Sequence, residues 1–317
     1  MKILVDIDEL QQQGLVSAET ARLLRDHATK DTGSTAINIL LAFGAIAVAA
    51  GIGALTFSPG VGAVLGAGFI GLGWFAKTRP NAMWGKLGSI WMIVGALALA
   101  GSLGFLSDHP LFASLLAAII FVGVAVMAGS SLLIALVPLA LESAIGGSTG
   151  YWHASYEIAI SEPTLTIVLF TALGFVAWQA AKQLNGLYQH LAIVFARMCV
   201  ILVNFGFWIG SLWGDTPGKL WRSGEASSFD FGSNAQIQPM VFVIGWILAL
   251  LAAGAWAANN GRRFLVNTVA TFGAIHLYTQ WFERFGADPI TVIIAGVATI
   301  GIGLALWRYN RQVLETR

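Results

Sequence analysis

Charged side chains are scarce in this chain. Asp, Glu, Lys and Arg make up 10% of its 317 residues, whereas soluble domains hold about 25%. Hydrophobic residues make up 57%, and the mean hydropathy is +0.76. A soluble fold of this length could not bury so much apolar surface. The composition therefore predicts an all-α, multi-pass membrane protein whose partner on most sides is the lipid bilayer.

The charge balance and the cysteine count exclude other classes. The net charge is +1, which gives no basic surface for nucleic acid. The single cysteine, Cys199, excludes an internal disulfide and a multi-cysteine metal site. A lone thiol inside an apolar segment is typical of a buried, inert residue. The polar start of the chain predicts no cleavable signal peptide, so the first hydrophobic segment is expected to act as the insertion signal.

Ten hydrophobic segments predict the spans of a transmembrane domain over residues 35–317. A span needs about 20 apolar residues at a rise of about 1.5 Å. The predicted spans are Ala36–Phe57, Gly60–Ala76, Ala82–Leu106, Pro110–Ala128, Ser130–Ile145, Pro163–Gln183, Leu187–Trp213, Met240–Ala258, Arg263–Phe282 and Ile290–Tyr309. Ser130–Ile145 is short and contains Pro138, so either a full span or a re-entrant segment fits it.

The distribution of Lys and Arg predicts the orientation, since these residues favour cytoplasmic loops. With both termini inside, thirteen of the seventeen lie in inner segments: Lys2, Arg22, Arg25, Lys30, Lys77, Arg79, Lys86, Lys182, Arg262, Arg263, Arg308, Arg311 and Arg317. Outer segments hold Lys219, Arg222 and Arg284, and Arg197 lies within a span. The bias supports an even number of helices and cytoplasmic N- and C-termini.

Residues 1–34 are polar and predict a two-helix hairpin in the cytoplasm. The first helix runs from about Asp6 to Gln13 and ends at Gly14. Ser17 is expected to cap the second helix, which starts at Ala18. Such a hairpin is too small for a substantial core of its own. Two interpretations remain open: a solvated cap, or the binding site for a partner protein.

The two longer predicted outer loops have two possible interpretations. The predicted outer loops, Gly146–Glu162 and Gly214–Gln238, are rich in aromatic residues, which are typical of the membrane interface. The alternative is a lid over an outward-facing cavity. The run Gly147–Gly150 predicts a flexible loop.

The spacing of Gly62 and Gly66 predicts close helix packing, either within one chain or in a homo-oligomer.

Ionisable residues inside predicted spans are the candidates for a functional centre. Counting from the inner end of each span places Arg197, Glu142 and His276 at depths of roughly 15, 18 and 20 Å. A lone arginine at such a depth costs about 2.5–3.5 kcal/mol on insertion scales, so a partner is expected. Glu142 is the candidate for that partner.

Further polar residues extend this predicted cluster. Asn204 lies seven residues after Arg197, and His276, Gln280 and Glu283 follow i, i+4, i+7 spacing along one helix face. Two interpretations stay open. In the first, the Arg197–Glu142 pair fixes helix register. In the second, the cluster is a site for a substrate, an ion or a proton.

Sequence motifs of enzymes are absent. The chain contains no H-E-x-x-H zinc motif, no Walker loop and no G-x-G-x-x-G site. No residue is therefore assigned to catalysis, to a cofactor or to a metal ion, and we expect a protein that is not an enzyme.

Three segments resemble a bacterial family of predicted membrane proteins known as domain of unknown function 2157. They are LQQQGLVSAETARLL before the first span, GRRFLVNTVATFGAIHLYTQWFERFG, and the last span ending in WRYNR. The resemblance implies a bacterial inner-membrane location. It implies no activity, so it assigns no site residues.

Two functions follow from these observations. The first is a transporter-like bundle for a small solute or ion, in which Arg197 binds an anion or compensates charge, Glu142 is its gate partner and His276 carries a proton. The second is a membrane scaffold or assembly factor that binds a partner through the N-terminal hairpin.

Overall fold

The structure is a computed structural model. It describes residues 16–17, 19–23, 58–79, 82–152, 155–218, 236–286 and 288–315. The predicted first span and most of the N-terminal hairpin lie outside these residues. Residues 19–23 are helical, and the N–H of Thr20 donates to Ser17 Oγ over 3.2 Å. The predicted capping role of Ser17 is therefore confirmed.

Helices make up most of the described chain. They are α1 (Pro59–Lys77), α2 (Ala82–Leu106), α3 (Pro110–Ala128), α4 (Ser131–Ala144), α5 (Pro163–Ala181), α6 (Gly186–Trp213), α7 (Pro239–Asn259), α8 (Arg263–Phe285) and α9 (Pro289–Glu315). Their ends differ from the predicted spans by about three residues or fewer, except at the C-terminal end of α9. Proline begins α1, α3, α5, α7 and α9, because the first helical residue needs no N–H donor.

The prediction of a multi-pass helical membrane protein is confirmed, but the count of ten spans is not. Among the described residues, six helices are long and apolar enough to cross a bilayer: α1, most of α2, α3, α5, α6 and α7. Two apolar helices are shorter, namely Ser131–Ala144 and the segment Pro289–Gly301 of α9. Helix α8 has 23 residues but falls outside both groups, because its polar residues lower its hydropathy.

The chain divides into two compact units. The first contains α1, α2 and Ile120–Leu133, and the second contains His109–Ile119 and everything from Ile134 onward. In the first unit α1 and α2 pack backbone to backbone. A Cβ atom on Gly66 would lie 2.7 Å from the backbone nitrogen of Leu99, and one on Gly73 would lie 2.5 Å from the carbonyl oxygen of Gly88. The glycine spacing of α1 thus serves packing within the chain.

In the second unit α6 is the central helix. It lies antiparallel to α5, since Gly206 approaches Thr166 and Gly174 approaches Cys199. It also lies antiparallel to α7, where Phe242 packs on Gly210 and Phe207 faces Gly245. Two buried clusters fill these interfaces, one formed by Phe170, Cys199 and Leu202, the other by Trp246, Leu250 and Phe272.

A β-hairpin replaces the first predicted outer loop. Strands β1 (Gly147–Trp152) and β2 (Ser155–Ile160) pair antiparallel, with Gly147 opposite Ile160. The prediction of a flexible loop at Gly147–Gly150 was wrong for a physical reason. Glycine is depleted in strands, and the run Gly147–Gly150 begins and ends with one, so the first strand depends on its pairing with the second.

The ends of α6 and α7 that adjoin the second predicted loop are tied together. The N–H of Asp215 donates to the carbonyl oxygen of Ile237 over 2.9 Å, and the N–H of Ile237 donates back over 2.8 Å. The buried Asp215 carboxylate also accepts the N–H of Thr164 over 2.9 Å, which caps the start of α5. Residues 219–235 of this loop lie outside the described part.

Candidate functional site

A cavity of about 870 Å³ lies among α5, α6, α7 and the start of α8. This volume is within the range of small-molecule sites in proteins. Its walls are mostly apolar and include Phe170, Ile193, Val203, Phe207, Leu250 and Leu265. All four helices belong to the second unit, so the cavity is formed within one packed body.

Arg197 projects from α6 into this cavity. Its guanidinium carbon lies 4.8 Å from the centre of the Phe264 ring, which is a cation–π contact. Within the described residues, it makes no hydrogen bond or ion pair. The side chain is exposed to the cavity. All five N–H donors of the guanidinium are therefore available to a ligand.

Two more cations line the cavity near the ends of helices. Lys182 follows the end of α5, and Arg262 precedes the start of α8. The Lys182 ammonium lies 3.7 Å from the centre of the Trp178 ring and donates to Gln179 Oε1. No aspartate or glutamate is among the described residues that line the cavity. The site is therefore an apolar cavity with a positive end, which favours an anionic ligand.

Asn204 and His276 both contact one buried indole, that of Trp246 on α7. Trp246 Nε1 donates to Asn204 Oδ1 over 3.0 Å, and the Asn204 amide donates to the carbonyl oxygen of Val200 over 2.8 Å. The His276 ring stands edge-on to Trp246, with ring centres 4.9 Å apart. Asn204 of α6 and His276 of α8 were predicted to belong to one polar cluster. The contact that joins them is indirect, through the Trp246 indole of α7.

The predicted polar stripe on α8 contains both buried and exposed residues. His276 is buried, and its Nδ1 atom has no hydrogen-bond partner in the described chain. The same holds for Gln280 Nε2, one turn further on. Glu283 is exposed. None of these three lines the cavity, so the stripe is a buried face near its start and a surface near its end.

Glu142 is held at another interface. Its buried carboxylate accepts the hydroxyl of Thr166, with distances of 2.9 and 3.1 Å from Oγ1 to the two oxygens. Gly147, the first residue of β1, packs directly against the backbone of Glu142, because a Cβ atom at Gly147 would lie 2.9 Å from the Glu142 carbonyl oxygen. Glu142 thus joins α4, α5 and the β-hairpin.

The structure does not bring Arg197 and Glu142 together. Glu142 bonds to Thr166, which contacts α6 at Gly206. Gly206 lies nine residues beyond Arg197, or about 13 Å along the helix. The predicted pairing rested on depths counted from the start of each span. Helix α4 has only 14 residues, so counting from its start does not give a depth comparable with that in α6.

Arg197 lies beside the C-terminal half of α5. A Cβ atom on Gly174 would lie 3.6 Å from the carbonyl oxygen of Ala196, which places Arg197 beside this part of α5. Gly174 is seven residues before Ala181, the end of α5, so Arg197 lies about 10 Å from that end. A long arginine side chain can span much of this distance toward the polar interface, and no buried carboxylate is then needed.

Sequence reasoning missed several contributors to these sites. The sequence did not predict the roles of Thr166 and Trp246, because a threonine or tryptophan within an apolar segment is usually a packing residue. Lys182 and Arg262 were assigned to inner loops. That assignment predicted their side of the membrane, but it did not predict that both line one cavity. Phe264 gave no signal either, since cation–π partners follow no fixed spacing. Among the described residues, no three His, Cys, Asp or Glu side chains are grouped as metal ligands.

Comparisons with other proteins add no further constraint. No family model, curated protein or solved structure matches the chain. The resemblance of the N-terminal and C-terminal segments to domain of unknown function 2157 stays a prediction. The class that the fold defines is a multi-pass, helical integral membrane protein.

Proposed function

We propose that this membrane protein binds a small anionic solute in the α5–α8 cavity and moves it across the bacterial inner membrane, without catalysing a chemical reaction. The observation that carries the proposal is Arg197. Its guanidinium lies in an 870 Å³ cavity against the Phe264 ring and, within the described residues, makes no hydrogen bond or ion pair. A cation held this way in mostly apolar surroundings binds an anion more strongly than it would in water.

The other cations act in the same direction. Lys182 and Arg262 raise the positive potential at the end of the cavity nearest the α5 terminus, which attracts anions toward Arg197. The Lys and Arg distribution supports a cytoplasmic position for this end and for both termini. Glu142 and His276 lie outside the cavity lining, so the proposal assigns anion binding to Arg197 and assigns no gate or proton transfer to those two residues.

The test is uptake of radiolabelled anions into phosphatidylcholine vesicles that contain the purified full-length protein. Phosphate, methanesulfonate and benzenesulfonate are suitable probes, since they remain ionised and cross lipid slowly. We expect saturable uptake of at least one of them. Uptake should fall about 10- to 100-fold in Arg197→Gln, because a hydrogen bond to a charged group contributes about 1.5–3 kcal/mol.

Two variants serve as controls. Arg197→Lys keeps the charge and should retain part of the uptake, although it loses the planar guanidinium. Glu142→Gln lies outside the cavity and should leave uptake unchanged. If no anion is taken up, or if Arg197→Gln transports as well as the unaltered protein, the proposal is wrong. The scaffold hypothesis, with residues 1–34 as the binding part, would then be the one to pursue.

A further inference from the structure

We infer that the anion bound in this cavity is an amphiphile, with one acyl chain and a carboxylate or phosphate head, which enters from the bilayer. The inference rests on the proposed function, since it specifies the chemical class of that anion. Three features of the cavity support it: the separation of charge from apolar surface, a side opening between helices, and the volume.

Charge and apolar surface occupy different ends of the cavity. Lys182 and Arg262 adjoin helix ends, and Arg197 lies about 10 Å further in. Beyond Arg197, toward Trp213, the walls contributed by α6 and α7 are mainly apolar side chains such as Val203, Phe207 and Leu250.

The polar groups at the apolar end do not change this pattern. Asn204 also lines the cavity, but its amide already bonds to Val200 and to Trp246. Thr171 contributes a single hydroxyl. A fully hydrophilic anion would leave this end without partners, whereas an acyl chain would fill it.

The cavity reaches the lateral surface between α5 and α7. Phe175 and Trp256 line it and are nonetheless 56% and 44% exposed. Their neighbours Val176 and Leu251 are 63% and 65% exposed. In a bilayer this apolar surface faces lipid tails. A ligand already dissolved in the membrane can therefore approach the cavity from the side, with its chain leading.

A tryptophan pair joins α5 and α7 near the positive end of the cavity. Trp178 of α5 and Trp256 of α7 meet edge to face, with ring centres 5.9 Å apart. Lys182 stacks on Trp178, so its ammonium lies just beyond the pair. Indole rings favour the boundary between head groups and tails. The pair thus lies at the end of the cavity that would hold the head of an amphiphile.

The volume and the head-group chemistry narrow the class. About 870 Å³ suits one drug-sized molecule, which favours a single chain over a two-chain phospholipid. The guanidinium of Arg197 presents a planar fork of donors that matches carboxylate and phosphate oxygens. Both heads are compatible with the site, and the experiment below distinguishes them.

The test is equilibrium binding of radiolabelled dodecanoate to the full-length protein in phosphatidylcholine nanodiscs. Nanodiscs without protein give the amount that dissolves in lipid. We expect one saturable site per chain, displaced by unlabelled dodecanoate and dodecyl phosphate but not by dodecyltrimethylammonium, which has the same chain and the opposite charge. The stronger of the two anionic competitors identifies the preferred head. Arg197→Gln should weaken binding about 10- to 100-fold, and Arg197→Lys should weaken it less.

A second variant tests the apolar end separately. Ala249 lines the cavity on α7, and Ala249→Phe would fill space there without altering any cation. We expect it to weaken dodecanoate binding at least about tenfold, and binding as strong as in the unaltered protein would show that the chain does not occupy this end. Thermal unfolding of each variant identifies those that fail to fold, and Ala249→Leu is the smaller replacement if the phenylalanine does not fit.

The remaining outcomes overturn the inference in distinguishable ways. If benzenesulfonate uptake depends on Arg197 but dodecanoate shows no saturable site, the ligand is a different anion and the proposed function stands. If dodecyltrimethylammonium displaces dodecanoate as well as dodecyl phosphate does, the cavity is only an apolar surface. If neither dodecanoate nor any small anion binds, both the inference and the proposed function fail.

Discussion

Thr166 holds the carboxylate of Glu142 across the interface of α4 and α5. Its hydroxyl oxygen lies 2.9 Å from one carboxylate oxygen and 3.1 Å from the other, and both residues are buried. A buried carboxyl group without a hydrogen bond is costly. The contact therefore gives the one acidic group of α4 a neutral hydrogen-bond partner, where the sequence led us to expect an arginine.

This contact predicts the effect of changing Thr166. Thr166→Val keeps the shape and removes the donor, and should lower the free energy of unfolding by about 1–3 kcal/mol. Thr166→Ser keeps the hydroxyl and loses one methyl group, at about 0.8 kcal/mol. Unfolding in detergent micelles, followed by circular dichroism, measures both. A valine variant as stable as the unaltered protein would show that the hydroxyl contributes nothing.

The separation of Arg197 from Glu142 predicts independent effects. Sites more than about 7–10 Å apart with no shared partner are usually additive within about 0.5 kcal/mol. We expect the double variant Arg197→Ala, Glu142→Ala to lose the sum of the two single losses in unfolding free energy. Strong coupling, with the double variant recovering stability relative to either single one, would restore the ion pair that the sequence suggested.

The contact between α1 and α2 predicts opposite results at two glycines of one helix. Gly73→Ala places a methyl group 2.5 Å from the carbonyl oxygen of Gly88, and overpacking of this kind costs about 1–3 kcal/mol. A Cβ atom on Gly71 meets nothing within 4 Å, so Gly71→Ala should be neutral or stabilising by up to about 1 kcal/mol. Equal effects of the two changes on thermal unfolding would contradict the α1–α2 packing.

The bond between Trp246 and Asn204 predicts measurable coupling. Trp246→Phe and Asn204→Leu each leave one buried polar group without its partner, and the double variant removes both groups. Hydrogen bonds between membrane helices contribute about 0.6 kcal/mol on average and up to about 1.7 kcal/mol. A double-mutant cycle on unfolding free energy should give a coupling within that range. The pair His276→Phe and Asn204→Leu, which shares no hydrogen bond, is the control.

The sequence predicted the helices well and the contacts between them poorly. Long apolar runs bounded by proline and glycine identify helix ends, which is why Pro110 and Trp213 were placed correctly. The number of spans was predicted less well than the helix ends, because α8 is more polar and α4 is shorter than a typical span. The β-hairpin was missed, since Gly147 and Ser148 become a strand only through pairing with Ile160 and Ala159.

The candidate site was predicted in part. Arg197 was identified because a charge inside an apolar segment is costly wherever it lies. Its neighbours depend on the register between helices, which the sequence does not reveal: α6 meets α5 where Gly174 faces Cys199. The cavity itself, and the convergence of Lys182 and Arg262 on it, follow from that register and from the contact of Trp178 on α5 with Trp256 on α7.

The pairing of Asp215 with Ile237 has a practical consequence for establishing which way the protein faces. Because the chain leaves α6 and returns to α7 at one hydrogen-bonded point, extra length between residues 218 and 236 adds little closure entropy and leaves that point intact. A small peptide tag or a protease recognition sequence introduced there should therefore leave the helices folded. Its accessibility in intact spheroplasts, compared with inverted vesicles, would report directly the sidedness of the loop.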